Sequence, residues 1–214
     1  MDGTARRARL ARARLCLVIE AHPDVATLLE AALRGGVDVV QLRDKELADA
    51  GLVAAARVFR RVCDAHRALF VLNDRPDLVE ACGADGVHVG QDDAPLAEAR
   101  AAVGTDRLVG VSTGSPAEME AATGADYLGV GTVFSTPTKA DGAAAGLELV
   151  RAAAAAAAVT VPWFAIGGID LANVGLVAEA GARGVAVVRA IRDADDPEGA
   201  ARALRAALGE PPPA

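Results

Sequence analysis

Short apolar runs rich in Val, Ile and Leu recur along the chain, and amphipathic, alanine-rich stretches separate them. Near-continuous apolar character is typical of parallel strands that are buried on both faces, so each run predicts a strand. The predicted strands are residues 15–20, 37–42, 68–72, 86–89, 108–111, 127–130, 161–166 and 184–188. Helical spacing is clearest at residues 47–66, 115–123 and 170–180, so the pattern predicts that strands and helices alternate.

Short glycine-containing segments precede every second predicted strand. They are residues 35–38 (Gly-Gly-Val-Asp), 83–86 (Gly-Ala-Asp-Gly), 124–126 (Gly-Ala-Asp) and 181–184 (Gly-Ala-Arg-Gly). Glycine often closes a helix before the chain enters the next strand. A two-strand unit repeated four times favours an α/β fold with a single (β/α)8 TIM barrel, and a doubly wound open sheet is the alternative.

The length and composition fit one such domain. The chain has 214 residues, of which 52% are hydrophobic and 24% charged, and these values exclude disordered and fibrous proteins. We expect residues 1–14, which contain five arginines, to form a flexible N-terminal arm. Residues 15–208 are predicted to form the catalytic barrel, and residues 209–214 a proline-rich C-terminal tail.

Charge and cysteine content limit the class of partner. The net charge of -7 argues against a nucleic-acid or membrane-surface binder, and no apolar run reaches the roughly 18 residues of a membrane span. Cys16, Cys63 and Cys82 lie beside apolar neighbours without metal-ligand or redox spacing. They predict buried free thiols in a cytoplasmic protein. The sequence leaves the oligomeric state open, with a homodimer as one option.

Scarce polar residue types collect at the carboxyl ends of the predicted strands, where TIM barrels carry their active sites. Only Lys45 and Lys139 among the 22 basic residues are lysines, and both lie at this rim. With Arg43 they form a group of cations that suits a polyanion such as diphosphate. Surface pairing with Asp44 and Asp141 is the alternative.

Two carboxylates and a glycine pair also lie at this rim. Asp74 and Asp93 end adjacent predicted strands, and two carboxylates together with phosphate oxygens make a typical Mg²⁺ site. Pairing with Arg75 or helix capping is the alternative. Gly167-Gly168 follows the seventh strand, where barrels commonly bind phosphate. His88 alternates with apolar residues in a strand, and we interpret it as a core histidine rather than a base.

Six motifs occur in order at barrel spacing. They are Gln41-Leu42-Arg43-x-Lys45, Asn73-Asp74, His88-x-Gly90-Gln91-x-Asp93, Gly110-Val111-Ser112, Thr136-Pro137-Thr138-Lys139 and Ile166-Gly167-Gly168-Ile169. Together they resemble the thiamine-phosphate synthase family, also called thiamine-phosphate pyrophosphorylase, over residues 15–208. That resemblance implies a transferase with two small phosphorylated substrates and Mg²⁺ as cofactor.

The family condenses 4-amino-2-methyl-5-(diphosphooxymethyl)pyrimidine with 4-methyl-5-(2-phosphoethyl)thiazole to give thiamine phosphate and diphosphate. In the accepted mechanism diphosphate leaves first, and the thiazole nitrogen then attacks the resulting pyrimidine carbocation. The resemblance assigns the pyrimidine diphosphate to Gln41, Leu42, Arg43, Asp44, Lys45, Asn73, Ser112 and Lys139. It assigns the thiazole phosphate to Thr136, Pro137, Thr138, Gly168, Val188 and Arg189. It assigns Mg²⁺ to Asp74 and Asp93, and catalysis to Arg43, Lys45, Ser112 and Lys139.

The chain departs from the family pattern at a few positions. Arg189 stands where the family often has Ser, and Thr132 and Ser135 replace common prolines. Two other functions are alternatives: a thiazole tautomerase-like paralogue, and a non-catalytic regulator that binds thiazole phosphate. Neither needs diphosphate or metal, so the presence of the cations and of both aspartates favours the synthase.

Overall fold

The computed structural model describes residues 1–135, 145–157 and 159–209. Within these residues eight parallel strands pair in chain order, and the eighth pairs with the first. The closed barrel confirms the predicted TIM barrel and excludes the open sheet. The strands are β1 (Leu15–Ile19), β2 (Val39–Leu42), β3 (Leu69–Asn73), β4 (Gly86–Val89), β5 (Leu108–Thr113), β6 (Tyr127–Val130), β7 (Trp163–Ile166) and β8 (Val185–Val187).

Helices surround the barrel and cover its outer face. In chain order they are α1 (Gly3–Leu10), α2 (Val25–Arg34), α3 (Asp49–His66), α4 (Val79–Cys82), α5 (Leu96–Val103), α6 (Pro116–Ala121), α7 (Gly146–Ala155), α8 (Val174–Glu179), α9 (Arg189–Arg192) and α10 (Pro197–Ala207), with a 3₁₀ turn at Pro76–Leu78. In the described part of the chain, no helix has the length and apolar character needed to cross a membrane.

The strands form two cores because successive side chains point to opposite faces. In β1, Leu15 and Leu17 pack in the outer core between the strands and the helices. Cys16 and Val18, which alternate with them, belong to the inner core of the barrel. Burial on both faces explains why the strands are almost continuously apolar in sequence.

The predicted helix at 170–180 begins later than expected, at Val174. The preceding residues form a turn in which Asp170 N–H donates to Asn173 Oδ1 at 3.0 Å, and Ala172 N–H donates to Asp170 Oδ1 at 2.9 Å. Short polar side chains that bind nearby backbone in this way compete with helix formation.

The flexible arm predicted for residues 1–14 is corrected by the structure. Residues 3–10 form helix α1, and Leu10 packs into the inner core at the amino-terminal end of the barrel. Arg6 Nε lies 3.0 Å from Asp85 Oδ1, and Arg7 Nε lies 2.7 Å from Asp126 Oδ1. The arginines pair with aspartates that precede strands β4 and β6, and this pairing holds the segment against the barrel.

The glycine-containing repeat lies at the amino-terminal end of the barrel and supplies these aspartates. Each repeat aspartate also accepts a backbone N–H from the strand before it: Asp38 from Leu15, Asp85 from Phe70 and Asp126 from Val109. We call this group of Arg–Asp contacts, which Arg6 forms with Asp85, Arg7 with Asp126 and Arg205 with Asp38, the amino-terminal rim.

Candidate active site

A cavity of about 510 Å³ opens at the carboxyl ends of the strands and reaches into the barrel. Its floor consists of apolar and aromatic inner-core residues, among them Val18, Tyr127 and Phe164. Above the floor, the cation–carboxylate wall comprises Arg43, Lys45, Asn73, Asp74, Asp93 and Ser112. The glycine wall comprises Gly167, Gly168, Val188 and Arg189.

The structure brings most of the predicted site residues to this one cavity. Those that line it are Gln41, Arg43, Lys45, Asn73, Asp74, Asp93, Ser112, Gly168, Val188 and Arg189. The remaining segment of the prediction, Thr136, Pro137, Thr138 and Lys139, lies outside the described residues.

Leu42 and Asp44, which the resemblance assigns to the pyrimidine diphosphate, are not among the residues that line the cavity, and their contact with substrate stays a prediction. Leu42 follows the inward-facing Gln41 in β2, so its side chain points outward and is fully buried in the outer core. The Asp44 carboxylate accepts the backbone N–H groups of Glu46 and Leu47 at 3.1 Å each. Its side chain therefore shapes the loop after β2.

Asp74 and Asp93 lie against each other at the ends of β3 and β4. Burial and then the neighbouring Asp93 raise the pKa of Asp74, against the opposing effect of Lys45, whose Nζ lies 3.2 Å from Asp74 Oδ2. Asp93 Oδ2 also accepts Gly90 N–H at 2.8 Å. The two carboxylates therefore lie close together with Lys45 as a nearby cation, and their mutual repulsion keeps the pKa of Asp74 above its usual value.

The alternative pairing of Asp74 with Arg75 is not formed. Arg75 instead binds Asp49 at 2.6 Å and Asp77 at 2.7 Å, away from the cavity. Asp74 itself has a φ of 60°, a conformation that residues other than glycine rarely adopt. Its N–H donates to His88 O at 2.8 Å, which fixes this backbone conformation beside β4.

The carboxylates of Asp74 and Asp93 fit a divalent cation that takes its remaining ligands from water and substrate. Among the described residues, no group of three or more His, Cys, Asp or Glu side chains could hold a metal. An ion bound between Asp74 and Asp93 would take its other ligands from water and a bound phosphate. Mg²⁺ accepts this coordination, with one or two carboxylates and several outside oxygens.

Ser112 is held from two directions by residues of the β4 segment. His88 Nε2 lies 2.9 Å from Ser112 Oγ, and Gln91 Nε2 donates to the Ser112 carbonyl at 2.6 Å. His88 Nδ1 in turn lies 3.2 Å from the Tyr127 hydroxyl. His88 is buried and hydrogen-bonded, as a core histidine is, yet it lines the cavity. Sequence reasoning quoted His88 and Gln91 within a motif but assigned no site role to them or to Tyr127.

Within the glycine wall, Gly167 and Gly168 form a turn whose backbone conformation requires glycine. Gly167 and Gly168 have φ values of 110° and 63°, and a Cβ at Gly168 would lie 2.9 Å from Phe134 Cβ. Asn173 Nδ2 donates to Gly168 O at 2.9 Å and holds the turn in place. Arg189, the first residue of α9, also lines the cavity.

The sequence matches the family model described as Thiamine monophosphate synthase over residues 15–191. A thiamine-phosphate synthase of Saccharopolyspora erythraea is 47% identical over 220 residues, which cover 98% of this chain and 99% of the relative. Another from Gloeobacter violaceus is 51% identical over 193 residues, which cover 89% of this chain and 56% of the relative. The chain thus spans little more than half the length of the Gloeobacter protein.

Solved structures agree with the sequence match. A thiamine phosphate pyrophosphorylase from Pyrococcus furiosus aligns with a TM-score of 0.82 and 31% identity, covering 94% of this chain and 96% of that one. A 3-hexulose-6-phosphate synthase aligns with a TM-score of 0.66 and 23% identity over 92% of this chain and 100% of that one, and it shares the fold alone. The resemblance found in the motifs is confirmed, and the chain belongs to the thiamine monophosphate synthase family.

Proposed function

We propose that this chain condenses 4-amino-2-methyl-5-(diphosphooxymethyl)pyrimidine with 4-methyl-5-(2-phosphoethyl)thiazole to give thiamine phosphate and diphosphate. The observation that carries the proposal is the single cavity that joins two different anion-binding walls over an apolar floor. One wall suits a diphosphate with a metal, the other suits a monophosphate, and the floor suits the two heterocyclic rings.

The cation–carboxylate wall acts on the leaving diphosphate. Arg43 and Lys45 supply positive charge, and the Ser112 hydroxyl supplies a neutral hydrogen-bond donor. Asp74 and Asp93 would hold Mg²⁺, which would supply positive charge beside the leaving diphosphate. Contacts that strengthen as this charge develops lower the barrier to C–O cleavage. Lys139 is assigned to the same group by the resemblance.

The glycine wall holds the thiazole phosphate. The turn at Gly167-Gly168 brings backbone close to the ligand without side chains in the way, and Arg189, which lines the same cavity, offers a guanidinium. Thr136, Pro137 and Thr138 are assigned to this phosphate by the resemblance. A phosphate anchored here places the thiazole ring over the floor, where its nitrogen can meet the pyrimidine carbon.

The floor protects the reactive intermediate. Val18, Phe164 and Ala186 belong to the inner core and are at most 6% exposed. A carbocation formed above such a surface meets the thiazole nitrogen rather than bulk water. The predicted cytoplasmic location and the oligomeric state, with a homodimer as one option, stay predictions.

The test is to incubate the purified protein with both substrates and Mg²⁺, and to measure thiamine phosphate and diphosphate together. We expect equal amounts of the two products, no turnover with either substrate alone, and loss of turnover when a chelator removes the metal. Isomerisation of a thiazole precursor without diphosphate release would instead support the tautomerase. Binding of thiazole phosphate without turnover would support the regulator, and either result would refute the synthase.

A further inference from the structure

A line of hydrogen bonds runs from the barrel interior to the cavity wall. The side chain of Gln41 hydrogen-bonds the Tyr127 hydroxyl, which lies 3.2 Å from His88 Nδ1. His88 Nε2 lies 2.9 Å from Ser112 Oγ. The four residues come from four different strands or strand ends, β2, β6, β4 and β5, so the barrel itself sets their spacing.

The protein makes room for this line at specific positions. Gly110 is paired with Tyr127 in the barrel, and a Cβ at Gly110 would overlap the tyrosine ring. A Cβ at Gly129 would lie 3.2 Å from His88 Cε1. Glycine inside a strand is unfavourable unless something must approach closely, and here two aromatic rings do. The close approach of Gly110 and Gly129 therefore fixes the positions of the Tyr127 and His88 rings.

The directions of these hydrogen bonds follow from the inner end of the line. Burial raises the pKa of Tyr127, so the hydroxyl keeps its proton, and Gln41 donates an amide N–H to the hydroxyl oxygen. The tyrosine proton is then available for donation to His88 Nδ1, 3.2 Å away, and the tautomer inferred below takes this direction. A neutral imidazole that accepts at Nδ1 carries its proton on Nε2 and donates it to Ser112 Oγ.

The outer end of the line requires the same directions. Diphosphate oxygens only accept hydrogen bonds, so a serine that binds them must donate its single proton outward. Its oxygen is then available to accept from His88. The opposite arrangement, with His88 protonated on Nδ1, would turn the Ser112 proton toward the histidine and away from the cavity.

We infer that His88 is a positioning residue: as the Nε2–H tautomer held by Tyr127, it orients the Ser112 hydroxyl to donate to the leaving diphosphate. This inference rests on the proposed function, since it takes the diphosphate as the acceptor. Gln91 supports the same orientation from the backbone side, because it holds the Ser112 carbonyl. No proton is transferred along the line during the reaction.

The tautomer can be read directly by nitrogen NMR of the histidine rings in the full-length protein. The chain has three histidines, so His88→Gln and His66→Gln variants suffice to assign the ring signals. We expect a protonated Nε2 and an unprotonated Nδ1 at His88, and a mixture of tautomers in Tyr127→Phe. A ring protonated on Nδ1 alone, or on both nitrogens, would overturn the inference.

Kinetics test whether the orientation matters. A hydrogen bond to a charged group predicts a loss of kcat of about 10- to 100-fold in Ser112→Ala, with a smaller change in KM. When Ser112 is present, we expect His88→Asn to show part of this loss of kcat. In the Ser112→Ala variant, we expect His88→Asn to cause no further loss. His88→Gln can place an amide N–H near the position of Nε2, so it should recover most of the activity that His88→Asn loses.

The matched control is His66→Gln, at the end of α3 and outside the cavity, which should leave kcat unchanged. Multiplicative losses in the His88→Asn, Ser112→Ala double variant would mean that His88 acts independently of Ser112, and would refute the positioning role. The proposed function fails separately, if the wild-type protein makes no thiamine phosphate. In that case the NMR experiment still decides the hydrogen-bond directions.

Discussion

At the amino-terminal rim the carboxylates are paired with arginines, whereas at the opposite end of the barrel two carboxylates lie against each other. Asp85 binds Arg6 at 3.0 Å and Arg60 at 2.8 Å, and its side chain is 4% exposed. In the described part of the chain, Asp74 has one cation, Lys45, at 3.2 Å, and its side chain is 20% exposed. The amino-terminal charges satisfy one another, while the cavity charges leave capacity for a ligand.

The pKa directions express the same difference. Burial tends to raise the pKa of Asp85, but hydrogen bonds from Arg60, the Phe70 N–H and Arg6 outweigh it and lower the pKa below its usual value. The pKa of Asp74 is raised, because burial and Asp93 outweigh Lys45. A carboxylate that is poorly satisfied by the protein alone is suited to binding a cation. We therefore expect substitutions at the amino-terminal rim to lower stability, and substitutions in the cation–carboxylate wall to lower activity.

The largest effect is expected from Asp85→Ala, which tests the amino-terminal rim. It would leave Arg6 and Arg60 without their buried partner and the Phe70 N–H without its acceptor. We expect the free energy of unfolding to fall by about 3 to 5 kcal/mol, measured by urea denaturation. Turnover per folded molecule should stay unchanged, because the substitution lies at the far end of the barrel from the cavity.

Asp64→Ala is the matched control for Asp85. Asp64 pairs with the same Arg60 at 2.7 Å, but its side chain is 67% exposed. An exposed pair of this kind contributes at most about 1 kcal/mol. Equal losses in the two variants would mean that burial does not distinguish the rim from an ordinary surface ion pair.

Asp93→Ala is the converse test at the cavity. It removes one of the two proposed metal ligands, and we expect kcat to fall by about 100- to 1,000-fold, corresponding to roughly 3 to 4 kcal/mol. Stability should change little, since the substitution also removes a repulsive neighbour of Asp74. The exposed Asp195→Ala serves as control, and full Mg²⁺-dependent activity in Asp93→Ala would refute the metal assignment.

Lys139→Ala tests the assignment that comes from resemblance alone. If Lys139 contacts the leaving diphosphate, its interaction strengthens in the transition state, so kcat should fall by about 10- to 100-fold with a smaller change in KM. Lys139→Arg should recover only part, because a planar guanidinium cannot occupy the position of a compact ammonium. A wild-type kcat in Lys139→Ala, measured at saturating substrates, would remove this residue from the catalytic group.

The sequence predicts the barrel well because burial on both faces leaves a strong, local signal. Strands β4 and β6 have the predicted bounds, and the others begin or end within two residues of them. Helix α1 was missed for the opposite reason: Arg6 and Asp85 are 79 residues apart, and no local pattern relates them. From sequence alone a run of arginines predicts a solvated segment, because the aspartates that the arginines contact are known only once the fold is known.

The residues of the candidate site also divide into those that the sequence predicts and those that it does not. Polar residues at strand ends, such as Asp74 and Asp93, could be placed at one rim because all parallel strands end there. The inward-facing Tyr127 and His88 could not be distinguished from core residues by alternation alone. The signal that could have identified them is glycine inside the neighbouring strands, at Gly110 and Gly129. Alternation places the Leu42 side chain on the outer face of the barrel, because Leu42 follows the inward-facing Gln41.

The smallest effect is expected from a pair of arginines at opposite ends of β8. Arg189 follows the strand and lines the cavity, whereas Arg183 precedes it in the last glycine-containing repeat. Arg189 is exposed, so its contact with a phosphate would be partly screened by solvent. We expect Arg189→Ala to raise KM for the thiazole phosphate by about 10-fold, as one exposed charge-assisted hydrogen bond would.

The same variant should leave KM for the pyrimidine diphosphate nearly unchanged, because that substrate lies on the other wall. Arg183→Ala should change neither constant, although both variants remove one positive charge and alter long-range attraction of anions equally. Steady-state kinetics with each substrate varied in turn separate these effects. If Arg183→Ala and Arg189→Ala raise both KM values alike, Arg189 acts through net charge, and the thiazole phosphate must be held by the glycine turn without it.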